Sequence, residues 1–207
     1  MYVAVSGNIG SGKSALTGIL AERFTLLPVY EAVEENPYLE DFYRDMKVYA
    51  FHSQMFFLAR RIRQHLTHIN GPTRVIQDRT IHEDVNIFAA NLRRAGLLSE
   101  RDHGTYQEVY EAVRSTLRPP DLLLYIRCSL PTLRERIATR GRDFERRISD
   151  EYLMALNGLY EEWIEGYDTS PCLVLDGDRL DFVHRPDALE EVLTVVEGEG
   201  VAPPALF

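Results

Sequence analysis

Eight residues near the N-terminus, Gly7-Asn8-Ile9-Gly10-Ser11-Gly12-Lys13-Ser14, fit the pattern G-x-x-x-x-G-K-[ST] in full. Their types share one chemistry. Glycines let backbone N–H groups converge on phosphate oxygens, and the N-terminus of the following helix adds partial positive charge. The lysine bridges the terminal phosphates and the serine hydroxyl ligates Mg²⁺. Lys13 and Lys47 are the only lysines, and every other basic residue is an arginine. A compact ammonium is kept where the motif needs one. A guanine-reading Asn-Lys-x-Asp element would need a lysine in another setting, and Lys47 follows Met46, so a G-protein is disfavoured. A glycine turn that binds nothing is the competing reading, and the flanking strand and helix patterns argue against it. The chain is expected to bind ATP-like phosphates, with Mg²⁺ on Ser14.

Three further constellations could act on such phosphates. Glu31 and the pair Asp78-Arg79 stand at the ends of predicted strands, where a parallel sheet opens one crevice beside the phosphate loop. A carboxylate there can hold Mg²⁺-bound water or take a proton from an attacking hydroxyl, and an arginine can neutralise charge in transit. Taken alone, Glu31 reads equally as a solvated strand-end acid. Gln54, Leu58 and Arg61 share one face of a predicted helix, and Asp84 and Phe88 lie one turn apart on the next. An amide, a guanidinium, a carboxylate and a phenyl ring can bond a base edge and stack on its face. That set suits adenine, guanine or cytosine; a buried Asp84–Arg61 ion pair among core aromatics is the alternative. Finally, Arg134, Arg136, Arg140, Arg142, Arg146 and Arg147 crowd a short stretch broken by Gly141. Guanidinia suit bidentate phosphate contacts, although such a stretch also reads as a solvated helix end.

These residues need an α/β scaffold. Strands are predicted at Tyr2–Ser6, Leu27–Glu31, Arg74–Asp78, Asp121–Arg127 and Cys172–Asp176. Helical patterns lie between them at Lys13–Phe24, Ile81–Ala95, Glu100–Leu117, Leu130–Arg140, Asp150–Gly166 and Asp187–Glu197. The long gap from Pro37 to Asn70 holds two helical stretches, the second with an apolar stripe of Phe51, Met55, Leu58, Ile62, Leu66 and Ile69. The expected architecture is a five-stranded, mainly parallel sheet flanked by helices, one domain over 1–197 with a loosely held tail at 198–207. The length of 207 residues is too short for two comfortable domains. A formal charge of −9 disfavours non-specific nucleic-acid binding. No apolar run approaches a membrane span, and the glycine loop follows Met1 too closely for a signal peptide. Cys128 and Cys172 read as reduced core residues of a cytoplasmic protein.

Gly7–Ser14, Glu31-Ala32-Val33, Tyr43, Gln54, Asp78-Arg79-Thr80, Asp84 and the segment Arg136–Glu145 together resemble the deoxyribonucleoside kinases. The runs Glu34–Leu39 and Gln54–Leu58 resemble the bacterial deoxyadenosine/deoxyguanosine kinase branch. The resemblance covers nearly the whole chain, in order. It implies a P-loop kinase fold with an arginine-rich lid near 140–149, and ATP- and Mg²⁺-dependent phosphorylation of a deoxyribonucleoside 5′-hydroxyl for nucleotide salvage. Glu31 would be the general base, and Arg79 would steady the hydroxyl and the transferring phosphate. Tyr43 and Glu145 would hold the sugar 3′-hydroxyl, and Gln54, Arg61, Asp84 and Phe88 the base. Lys13, Arg136 and Arg140 would reach the ATP phosphates, Arg142 or Arg140 would stack near the adenine, and Ser14, Glu31 and Asp78 would face the metal. The Asp176–Phe182 loop matches the family's donor-base loop loosely. A homodimer through the long helices is a family expectation. Ala32 replaces the usual proline and Thr80 the usual serine, without loss of a functional group. The alternatives are deoxycytidine as substrate, a thymidylate kinase-like nucleoside monophosphate kinase, or a P-loop module that binds ATP without transfer.

Overall fold

The computed structural model describes residues 1–33 and 35–203. Glu34 of the run Glu34–Leu39 and the tail residues 204–207 lie outside the described residues. Five strands form one all-parallel sheet: β1 (Tyr2–Gly7), β2 (Leu27–Val29), β3 (Val75–Asp78), β4 (Leu122–Arg127) and β5 (Cys172–Asp176), in the order β2-β3-β1-β4-β5. β1 and β4 pair centrally, from Val3 opposite Leu122 to Gly7 opposite Ile126. All of β1, and β4 except Arg127, is buried, which is why both read as unbroken apolar runs rather than alternating ones. β2 is an edge strand carrying Pro28, whose missing N–H is tolerated there. Its ladder with β3 stops at Val29 opposite Gln77. Glu31 therefore stands two residues beyond the strand rather than at its end as expected.

Helices cover both faces. On one side α1 (Lys13–Phe24) and α9 (Pro186–Gly198) pack Leu16, Leu20, Val192 and Val196 against Val3, Val5 and Leu124. On the other, α8 (Asp150–Glu165) packs Leu156 and Tyr160 against Tyr125. A separate apolar cluster joins α2 (Leu39–Arg44), α3 (Met46–Gln64) and α6 (Glu100–Arg114), with Phe42, Leu58 and Tyr106 buried together. The remaining helices are α4 (Ile81–Glu83), α5 (Ala90–Arg94) and α7 (Leu130–Arg140). α4 runs through a π-helical stretch, Asp84–Ala89, directly into α5.

On α3 and its π-helical continuation His65–Ile69, the buried face is Ala50, Ser53, Gln54, Leu58, Arg61, His65 and Ile69, and Leu66 is 61% exposed. Of the predicted stripe, Leu58 and Ile69 are buried, Phe51, Met55 and Ile62 pack half-buried against the α2–α3–α6 cluster, and only Leu66 leaves it; the fully buried face adds polar residues because it lines a polar site. In the described part of the tail, Val201 is buried in the core and Arg74 donates to the Ala202 carbonyl at 2.5 Å. Cys128 and Cys172 are both free thiols.

Candidate active site

At the carboxyl ends of β1, β2 and β3 a cavity of about 400 Å³ opens between the phosphate loop, α3 and the lid segment. Its floor is the loop between β1 and α1. Gly7 has φ +148°, and a Cβ there would meet the Ser11 hydroxyl at 2.6 Å and the Ile126 carbonyl at 2.8 Å. Gly12 has φ +98° and caps α1 with no side-chain bond, so the first N–H groups of the helix keep their donors for a ligand. The Asn8 side chain faces away, donating to the Leu153 carbonyl at 2.9 Å and to Asn157 at 2.7 Å, and so ties the loop to α8. Lys13 is buried, its ammonium 2.8 Å from the Asn8 carbonyl. Burial lowers its pKa to about 8, Arg79 adding to the effect and Asp78 and Glu31 opposing it.

Ser14 donates to Asp78 Oδ2 at 2.5 Å, while the buried Oδ1 of Asp78 has no partner. Burial raises the Asp78 pKa against Lys13 and the Ser14 bond. A hydroxyl joined to a carboxylate with a spare oxygen is a donor set of the hard, oxygen-only kind that Mg²⁺ takes. These two residues fit that ion.

Glu31 is only 16% exposed and lies between two arginines. Its Oε1 accepts from Arg61 Nη2 at 2.9 Å and forms an ion pair with Arg79 Nε at 3.1 Å. Burial by itself would raise its pKa; Arg79, Arg61 and Lys13 outweigh that and hold the carboxylate below its ordinary value. Arg79 has positive φ, at +68°, as does Thr25 among the described non-glycine residues, and its guanidinium lies 4.2 Å over the Phe88 ring. Glu31 comes from a loop beyond an edge strand and Arg79 from the corner after β3, so their meeting is a consequence of sheet order.

Arg61 is the hub of the acceptor end. Besides Glu31 it donates to Asp84 at 3.1 Å, to the Asp78 carbonyl at 3.2 Å and to Gln64 at 3.5 Å. The Asp84–Arg61 pair foreseen in the sequence exists, with Glu31 as a third member that no local spacing could reveal. Burial raises Asp84 to about 6, against the lowering by Arg61. Gln54 is buried beside the cavity with its Oε1 unpartnered. Tyr43 stacks on Phe144 at 5.7 Å, and burial, with Tyr152 and Glu145 near it, keeps its hydroxyl protonated well above the ordinary range. Glu145 takes a two-point bond from Arg140 (2.7 and 3.0 Å) and has Arg142 at 3.5 Å. Phe144 and Glu145 sit on a 3₁₀ turn, Asp143–Arg147, after Gly141 ends α7 in the left-handed region.

Ile9, Gly10, Lys13, Ser14, Glu31, Tyr43, Gln54, Asp78, Arg79, Asp84, Phe88, Arg140, Arg142 and Glu145 all line the cavity. Arg61 is behind them. Arg136 departs from its expected place on the ATP phosphates: it lies beneath the loop and donates to the Ser11 and Gly177 carbonyls at 2.7 and 2.6 Å. Phe144, Tyr152 and Phe42 also line the cavity and were missed. The only signal for Phe144 was its place beside Glu145.

Residues 3–199 match the family model described as deoxynucleoside kinase. Deoxyadenosine/deoxycytidine kinase of Bacillus subtilis is 36% identical over 193 residues, 92% of this chain and 89% of the relative. A deoxyguanosine kinase of Lactobacillus acidophilus is 39% identical, covering 92% of this chain and 87% of the relative. Among solved structures, deoxyadenosine kinase from M. mycoides with bound dATP superposes with a TM-score of 0.83 at 31% identity, over 95% of this chain and 99% of that one.

Proposed function

The chain belongs to the deoxynucleoside kinase family, and from that premise we propose that it transfers the γ-phosphoryl group of ATP to the 5′-hydroxyl of a purine deoxyribonucleoside. The relatives' names divide among adenine, guanine and cytosine. The observation that favours a base bearing an exocyclic amine is the unpartnered Gln54 carbonyl, which lines the same cavity as Asp84. A buried acceptor without a donor is costly, and an amine fills both sites at once. The Gln54 amide can also donate to purine N7.

In this reading the loop N–H groups, Lys13 and Arg140 hold the donor phosphates, and the Arg140–Glu145 bond gives way as phosphate arrives. Ser14 and Asp78 would hold Mg²⁺, which supplies charge neutralisation at the phosphates. Glu31 is better kept as the base than as a metal ligand, since two guanidinia already share its Oε1. Tyr43 donates to the sugar and Glu145 accepts from it. The cytoplasmic homodimer of nucleotide salvage belongs to the same proposal, on the family's account.

The deciding experiment offers deoxyadenosine, deoxyguanosine, deoxycytidine, thymidine and adenosine separately with ATP and Mg²⁺. The two purine deoxynucleosides are expected to give the highest kcat/KM and thymidine the lowest. Thymidine as the best substrate would overturn the base assignment.

A pH dependence follows from Asp84. Its carboxyl group accepts the amine more strongly when ionised, which holds above about 6. As pH falls through that value KM for the deoxynucleoside should rise, with kcat at saturation nearly flat. An Asp84→Asn variant should lose that inflection; the same inflection in the variant would assign it to another group.

A further inference from the structure

Glu83 is a fully buried carboxylate (0% exposed) that touches the site from behind and has no part in the steps above. It has no ion pair among the described residues; backbone and hydroxyl groups surround it instead. Oε2 accepts the Thr80 N–H at 2.8 Å and lies 3.2 Å from the Thr80 hydroxyl. Oε1 accepts the Gly7 N–H at 3.3 Å and lies 2.9 Å from the hydroxyl of Tyr160. That hydroxyl is also 2.8 Å from the Gly7 carbonyl and can donate to either acceptor. The pair thus grips both sides of Gly7, the first residue of the phosphate loop, and the peptide that follows Arg79.

Both corners lie at positive φ. Gly7 has φ +148° and Arg79, a bulky residue, φ +68°. A left-handed non-glycine residue persists only where its surroundings over-determine it. The Thr80–Glu83 capping box fixes the exit from the Arg79 corner, and the Glu83–Tyr160 contacts carry that fix across to the loop. One rigid unit therefore joins the donor side, through Gly7, to the acceptor side, through Arg79.

We propose that Glu83, with Tyr160, is a positioning residue that sets the phosphate loop against Arg79, so that donor phosphate and acceptor hydroxyl meet in line. The proposal deepens the kinase reading and rests on it. Transfer of a phosphoryl group depends on placement more than on covalent help, and an error near 1 Å can cost about 10²-fold in rate. An amide at position 83 offers one oxygen where the carboxylate offers two, and turns an NH₂ toward either Gly7 or Thr80, both of which are donors. One side of the grip opens while the residue's volume stays the same.

The test uses the full chain with Glu83→Gln and Tyr160→Phe. The second variant keeps the ring stacked on Tyr125 at 5.6 Å and loses only the hydroxyl. With the best deoxynucleoside of the wild type, kcat should fall about tenfold or more in Glu83→Gln and by less in Tyr160→Phe. KM for ATP and for the deoxynucleoside should stay within about threefold, and equilibrium binding of ATP should match the wild type. Wild-type kcat in both folded variants, or raised KM values with kcat intact, would overturn the positioning role. A wild type that phosphorylates none of the deoxynucleosides would refute the kinase reading and the positioning role together, a result readily told from active variants of an active enzyme.

Discussion

Lys13→Ala is expected to lower phosphoryl transfer by at least about 10³-fold while the protein remains folded. Removing one preorganised donor from a transition-state site typically costs about 10²–10³-fold, and Lys13 adds a full charge to its hydrogen bond. The buried ammonium donates to the Asn8 carbonyl, so its removal takes a charged donor out of the phosphate site. Burial, with Arg79, lowers its pKa to about 8. An arriving triphosphate reverses that by adding negative charge. In the wild type, kcat/KM for ATP should accordingly decline as pH rises through about 8, while kcat at saturating ATP holds. Circular dichroism and a melting curve check the fold, and a coupled ADP assay checks the rate. A nearly wild-type rate in the folded variant would mean that the loop does not hold the transferring phosphate.

The sequence made the phosphate loop legible because everything the loop needs is local. Eight consecutive residues carry the motif, and the predicted helices Lys13–Phe24 and Leu130–Arg140 have the observed bounds. The acceptor side was harder for a physical reason. Apolar periodicity finds the buried face of a helix only when that face is apolar, and α3 turns Gln54, Arg61 and His65 inward. Arg61 can be buried because Glu31 and Asp84, 30 and 23 residues away in the chain, converge on it. No spacing rule encodes that convergence. Arg136 and Arg140 make the same point, being identical side chains one turn apart on α7. One is spent on two backbone carbonyls under the loop and the other faces the cavity on Glu145. Glu83, a residue that composition and motif both pass over, was invisible for the same reason.

Glu31→Gln is expected to reduce kcat by about 10²-fold, with deoxynucleoside affinity changed by less than about tenfold. A positioned carboxylate acting as a base contributes about 10²–10⁴-fold, and two features of Glu31 place the effect at the lower end. Arg79, Arg61 and Lys13 hold its pKa below the ordinary carboxylate value, which keeps it ionised but makes it a weak proton acceptor. Phosphoryl transfer through a loose transition state also asks little of the base until the new bond is nearly made. The glutamine retains the shape and can still accept from the 5′-hydroxyl, so binding survives. It cannot take the proton, and it leaves Arg61 and Arg79 facing a neutral amide. The second consequence could mimic the first by letting Arg79 swing, so the pair needs separating. Arg79→Lys, which keeps the charge but loses the planar fork over Phe88, should raise KM for the deoxynucleoside along with lowering kcat. Glu31→Gln should lower kcat alone. Single-turnover rates with equilibrium binding on both variants distinguish the two patterns. Full-speed transfer by Glu31→Gln would leave Glu31 as the acid that orders two arginines, and would pass the base role to Asp78, whose Oδ1 stands unpartnered beside Ser14.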